Sequence, residues 1–182
     1  SPLAFNRAKL YSGKALDFDG VNDNLTATGS NALSFSEITM SAYFKFDNLG
    51  ATQVIFAKRK DVAGYWSAAF IMSSSGELDF RTTTGTTEQK VVYSDFVTGE
   101  YYHAVGVKDD SNNYLYINGQ LVDTTASGAI DNTTTYNFVL GNNGTGQYYY
   151  NGQIANAKVF DTALTAAQVA DLYNNPEKVV PT

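Results

Sequence analysis

Residues Ile38 to Phe46 read I-T-M-S-A-Y-F-K-F. Ile38, Met40, Ala42, Phe44 and Phe46 alternate with Thr39, Ser41, Tyr43 and Lys45. A strict period of two makes one apolar face only on an extended chain. One face of this strand must meet a core, the other water or a neighbouring element. Working outward, segments of similar character occupy 53–58, 65–73, 77–82, 90–94, 101–108, 113–118, 120–125, 136–141 and 152–160. Turn residues separate them, among them Ser74-Ser75-Gly76, Thr98-Gly99 and Asn142-Asn143-Gly144. Asn118-Gly119 sits between Tyr114–Ile117 and Leu121-Val122. Asn-Gly tolerates positive φ at both central positions, as a type I′ hairpin requires. Thr82–Thr87 reads as a polar loop. Many short strands with regular turns predict an all-β sandwich.

One helix is predicted near the end of the chain. Thr165 as N-cap and Gln168 three residues on form a capping box, and Leu164 and Val169 form a hydrophobic staple across it. Val169, Leu172 and Tyr173 share one face, and Pro176 stops the helix. Residues 1–175 are thus expected to form one domain. Residues 176–182, with two prolines, are expected to begin a linker to neighbouring domains of a longer chain.

The chain has 182 residues, 43% of them hydrophobic, enough for one buried core. Its formal net charge of -6 opposes nucleic acid. The short run Lys58-Arg59-Lys60 reads as a solvated loop. There is no cysteine, which removes disulfides, thiolate catalysis and cysteine-ligated zinc. No apolar run is long enough to span a bilayer, so membrane insertion is not expected.

Five stretches, in order, resemble the laminin-G-like branch of the concanavalin A-like lectin/glucanase superfamily. Ala15 to Asp23, A-L-D-F-D-G-V-N-D, resembles its opening motif. Ile38–Phe46 resembles the strand that follows. Gly99 to Val105 resembles a family strand in which Tyr101 replaces the usual Trp. Leu115 to Val122 resembles the family hairpin. Asn151 to Leu164 resembles the closing strand and the entry to the last helix. The resemblance implies a jelly-roll sandwich of two antiparallel sheets with one short C-terminal helix. It also implies a structural Ca²⁺ near the opening motif, with Asp19, Asn22, Asp23 and Asn156 as the oxygen donors available here. The closing strand departs from the family at Ala155, where an acidic residue is usual. Asp19-Gly20 and Asn22-Asp23 also read as an Asx-stabilised turn with no metal.

A lectin-type site needs aromatic faces for sugar C–H surfaces and polar side chains for hydroxyls. The candidates are Tyr65, Trp66, Arg81, Tyr148 and Tyr149. Trp66 reads rather more readily as a core or sheet-edge anchor, Arg81 also as one half of a surface ion pair, and Tyr150 as core. Glu77-Leu78-Asp79 resembles the start of the E-x-D-x-x-E strand of laminarinase-type hydrolases, but Thr82 stands where the second Glu would be, so no carboxylate pair is complete. His103, the single histidine, reads as structural. The expected function is a non-catalytic glycan- or polysaccharide-recognition module. Its expected setting is a larger extracellular, cell-surface adhesin or virion-surface (phage tail) protein. The alternatives are a structural spacer or protein-binding domain and, least favoured, a glycoside hydrolase or lyase.

Overall fold

A computed structural model describes residues 14–28, 35–59, 66–131, 136–179 and 181. Among them lie β1 (Leu16–Asp19), β2 (Leu25–Ala27), β3 (Ile38–Phe46), β4 (Gln53–Arg59), β5 (Trp66–Met72) and β6 (Leu78–Thr84). These are followed by β7 (Thr87–Tyr93), β8 (Tyr101–Lys108), β9 (Asn112–Ile117), β10 (Gln120–Ala126), β11 (Phe138–Leu140), β12 (Asn151–Phe160) and α1 (Ala166–Asn174). The strands form two sheets of six. Sheet I runs β1-β12-β3-β8-β9-β10, and sheet II runs β2-β11-β4-β5-β6-β7. Every pairing is antiparallel. This is the expected jelly-roll sandwich.

The two inner faces meet through Met40, Phe44, Ile117 and Ile154 of sheet I and Phe56, Phe70, Phe80 and Leu140 of sheet II, all buried. Gly106 shows how closely they approach. A Cβ there would come within 2.3 Å of the Phe80 ring, so the inner face of β8 has room for hydrogen alone at that point. Asn118 and Gly119 both carry positive φ (51° and 78°), as the hairpin between β9 and β10 requires.

The outer row of β3 is also buried: Thr39, Ser41 and Tyr43 are at most 1% exposed. The neighbour that covers it is α1. Leu164, Val169 and Leu172 pack on Val105, Val107 and Tyr116 of sheet I, each large side chain contributing about 1.5–3 kcal/mol of burial. The predicted capping box is present. Gln168 N–H donates to Thr165 Oγ1 (3.3 Å), and Thr165 N–H donates to Gln168 Oε1 (3.0 Å). The Tyr43 hydroxyl donates to the carbonyls of Leu172 (3.2 Å) and Tyr173 (2.9 Å). His103 stacks on Tyr43 with centroids 4.3 Å apart, and its Nε2 meets Ser41 Oγ at 2.9 Å. Burial, with Lys158 nearby, pushes the His103 pKa down to about 3.

Two readings of the sequence are corrected. Thr82–Thr87 is a hairpin, not a loop: Thr84 pairs with Thr87 around Gly85, whose φ is 62°. Threonine suits a strand, and a single glycine supplies the turn. Of the run Lys58-Arg59-Lys60, Lys58 and Arg59 are the buried end of β4 and not a solvated loop, while Lys60 lies outside the described residues. Lys58 is 0% exposed, its ammonium 5.4 Å from each of the Phe35 and Phe138 ring centroids, and Arg59 is 8% exposed. Residues 176–178 are held on the domain. Lys158 Nζ donates to the Pro176 carbonyl (3.0 Å), and Lys178 pairs with Asp171 (2.7 Å).

Candidate functional site

α1 packs over β3, β8 and β9 on the outer face of sheet I, and on the outer face of sheet II strand register sets which residues are neighbours. Pairing aligns Thr26, Val139, Ala57, Ala69, Arg81 and Lys90 in one row across β2, β11, β4, β5, β6 and β7. The middle of the row is small and closed, with Ala57 at 2% and Ala69 at 0% exposure. Its two ends differ.

At the β6–β7 end the row is ionic. Arg81 Nε donates to Asp79 Oδ1 (2.6 Å), a second nitrogen bonds Asp79 Oδ2, and Nη1 meets Glu88 Oε2 (3.0 Å). Lys90 pairs with Glu77 (3.2 Å). Burial works against the Arg81 charge, but Asp79 and Glu88 hold its pKa above the ordinary value. Glu77, Asp79 and Glu88 are thus each engaged by a cation.

At the β2–β11–β4 end lies a cavity of about 180 Å³. Its roof is the loop between β11 and β12. Asn143 organises that loop from inside: its Oδ1 accepts from the N–H groups of Thr145 and Gln147, both at 3.0 Å. Asn142 Oδ1 accepts from Gly144 N–H (2.7 Å). Asn142 and Asn143 are 4% and 2% exposed, so Asn143, part of an Asn-Gly-Thr sequon, has its amide spent on the loop. Gly144 lies directly over the strands, since a Cβ there would sit 3.7 Å from Val139 and 3.8 Å from Arg59. Ala57 and Val139 are the apolar residues of its lining, and Thr26, Arg59, Tyr136 and Asn137 are polar residues around them. Arg59 is fixed on both sides: Nη1 donates to Thr145 Oγ1 (3.2 Å), and the guanidinium lies 5.7 Å from the Trp66 ring centroid. An apolar floor ringed by polar residues suits the C–H and O–H faces of a small polyhydroxylated ring.

A larger cavity, about 800 Å³, opens between the sheets beside β1 and β2. Among the described residues its lining is apolar apart from Lys14 and Asn156, so it lacks the convergent polar groups that would orient a polar ligand.

Of the five residues expected at a ligand site, Tyr65 lies outside the described residues. Trp66 is 6% exposed and backs Arg59. Arg81 shares the face but sits two strands from β4, inside the ion-pair ladder. Tyr148 is 50% exposed with φ 55°, and its carbonyl accepts from Val54 N–H (2.9 Å). Tyr149 is half-buried, its hydroxyl turned back toward Gly146. Sequence reasoning passed over Arg59, Tyr136, Asn137 and Thr26. No motif marks them, and only the register of β2, β11 and β4 brings them together.

The four residues expected to hold calcium do not converge. Asp19 pairs with Asn151, and Asn156 lies five residues further along β12, roughly 16 Å away at strand spacing. Asn156 instead sits at a β-bulge with φ 49°. Asp19 Oδ1 accepts from Val21 N–H (2.8 Å), and Asp23 Oδ2 accepts from Asp19 N–H (3.0 Å), the geometry of an Asx-stabilised turn. Among the described residues no group of three or more His, Cys, Asp or Glu gathers as a metal site.

The family model described as the concanavalin A-like lectin/glucanases superfamily matches residues 19–170. A comparison with curated protein sequences returns no match. Solved structures share the fold at low sequence identity. A native heptameric SAP-like pentraxin from Limulus polyphemus has a TM-score of 0.71 at 19% identity, over 90% of this chain and 83% of that one. The CBM40 of the Ruminococcus gnavus IT-sialidase, bound to α2,3-sialyllactose, has 0.69 at 14%, over 91% and 99%. Domain 4 of AbnA, an extracellular GH43 arabinanase from Geobacillus stearothermophilus, in complex with arabinotriose, has 0.71 at 19%, over 89% and 77%.

Proposed function

We propose that this chain, which belongs to the concanavalin A-like lectin/glucanases superfamily, is a non-catalytic carbohydrate-recognition domain that holds sugar in the cavity on the outer face of sheet II. The observation that carries this reading is the cavity itself: an apolar floor ringed by Thr26, Arg59, Tyr136 and Asn137 under a loop pinned from within. Two structures of this fold, the sialidase CBM40 and the arabinanase domain, hold saccharides. Binding without cleavage is favoured because Glu77, Asp79 and Glu88 are tied to Lys90 and Arg81. A hydrolase needs one carboxyl held protonated and another free to act as base or nucleophile. The proposed setting is an extracellular, cell-surface or virion-surface protein, with a glycan or polysaccharide as partner.

Calcium belongs to the proposal in a reduced form. It would be structural, at the Asp19–Asp23 loop, using carboxylate oxygens of Asp19 and Asp23 with Asn22, water completing the shell and Asn156 taking no part.

The spacer reading keeps one specific observation in its favour. It expects the candidate aromatics to be buried, and Trp66 is. A glycan and polysaccharide array, run with calcium and with chelator, separates the two. The recognition reading expects binding that Tyr136→Ala or Asn137→Ala weakens about tenfold or more, with little change in Tm. A blank array from the folded domain overturns it.

A further inference from the structure

Resting on that reading, we propose that the cavity accepts one sugar residue at the end of a chain, so that the domain binds glycan termini and not internal segments. The size argues for one ring. Pockets that bury drug-sized ligands run from about 300 Å³ upward, and this one holds about 180 Å³. The walls argue for an end. An internal residue needs two exits, one for each neighbour, and the natural second exit is along the cross-strand row toward β5 and β6. That path is closed. Ala57, Ala69 and Ser67 are at most 2% exposed, and Trp66 stands at 6% with Arg59 against it. The roof is closed by Gly144 over Val139 and by the Arg59–Thr145 hydrogen bond. Among the described residues the open side is β2, an edge strand whose Leu25, Thr26 and Ala27 are all exposed. The rest of the glycan therefore leaves over Thr26 into solvent.

Two measurements test this on the full chain. The first titrates methyl glycosides of neutral hexoses, N-acetylhexosamines and acidic sugars, then a polysaccharide built from each, intact and after partial hydrolysis. End recognition expects one methyl glycoside to bind on its own. It also expects hydrolysis to about one tenth of the chain length to raise binding sites per unit mass about tenfold, in step with the number of ends. Binding that needs long chains, or that hydrolysis leaves unchanged or weakens, overturns end recognition while leaving carbohydrate binding intact. No binding to any probe overturns both.

The second measurement uses two variants on the same row. Thr26→Trp fills the mouth from an exposed edge position that tolerates an aromatic, and is expected to weaken binding about tenfold or more. Lys90→Ala, at the far end of the row, is expected to leave affinity unchanged. A loss at Lys90→Ala as large as at Thr26→Trp would mean the ligand lies across the sheet, and would overturn the proposal. Tm and circular dichroism establish that both variants fold.

Discussion

The outer faces of the two sheets start from the same alternation and finish differently. On sheet I, Val105, Val107 and Tyr116 form an apolar stripe, and Val169 and Leu172 of α1, with Leu164 just before it, cover it. The polar groups beneath, Ser41, Tyr43 and His103, bond to one another or to the helix carbonyls. On sheet II the equivalent surface is covered over β4 by a loop whose order comes from the Asn143 side chain. A helix seals because its apolar side chains interdigitate with the stripe. A loop held by its own hydrogen bonds need not fill the space below it, and here it leaves a cavity. The difference separates scaffold from proposed site: a sealed helix–sheet seam on one face, and on the other the cavity proposed to take sugar.

The strongest way to break that division is Val169→Asp. Val169 is 0% exposed in the helix–sheet seam. Placing a carboxylate there is expected to cost about 4 kcal/mol or more, a fall in Tm of about 8–16 °C for a domain of this size. Sugar affinity of the molecules that remain folded is expected to stay at the wild-type value, because the cavity lies on the opposite sheet. An affinity loss in the folded fraction would show that the faces are coupled.

Next in size is the ion-pair ladder on sheet II. Arg81→Leu would leave Asp79, 1% exposed, without its cation, at an expected cost of about 3 kcal/mol in urea unfolding. The double variant Asp79→Leu with Arg81→Leu removes both charges and is expected to return to within about 1 kcal/mol of the parent. A free Arg81→Leu substitution would mark the arginine as unneeded by the fold, and so available to a ligand after all.

The fold was legible in the sequence because its carriers are local. The alternation in Ile38–Phe46 became β3 to the residue, Tyr101–Lys108 became β8, and the Thr165–Gln168 box capped α1. The site was far less legible, because its walls come from strands that are distant in sequence and adjacent only through register. Thr26, Ala57 and Val139 share a row by pairing across β2, β11 and β4, which no pattern within one segment announces. Arg59 was misread for the same reason. In sequence it is the middle of a basic run, and in the fold the Trp66 ring and the Thr145 hydroxyl make a buried place for it. The calcium donors are spread by geometry that sequence cannot express: Asp19 pairs with Asn151, and Asn156 lies five residues further along that strand.

The smallest expected effect is a pH dependence that belongs to sheet I alone. His103 is buried and neutral in the fold. Burial first, and the nearby Lys158 second, hold its pKa at about 3, against about 6.5 in an unfolded chain. Between those values the unfolded state takes up a proton that the folded state refuses. The His103 contribution to stability is therefore complete above pH ~6.5 and is lost as pH falls toward ~3, with a slope of up to about 1.4 kcal/mol per pH unit. Carboxylates titrate over part of the same range, so the informative quantity is the difference between wild type and His103→Phe. The variant keeps an aromatic in the stack but gives up the Ser41 hydrogen bond, worth about 1 kcal/mol. At pH 7 it is expected to be the less stable protein. Its acid slope is expected to be shallower, so that the two Tm curves cross between pH ~6 and ~4. Parallel curves would mean that His103 takes up its proton in the folded state, and that the seam under α1 is less sealed than its burial indicates. Affinity for sugar, measured on folded protein across the same range, should not follow the difference, because His103 and the cavity lie on opposite sheets.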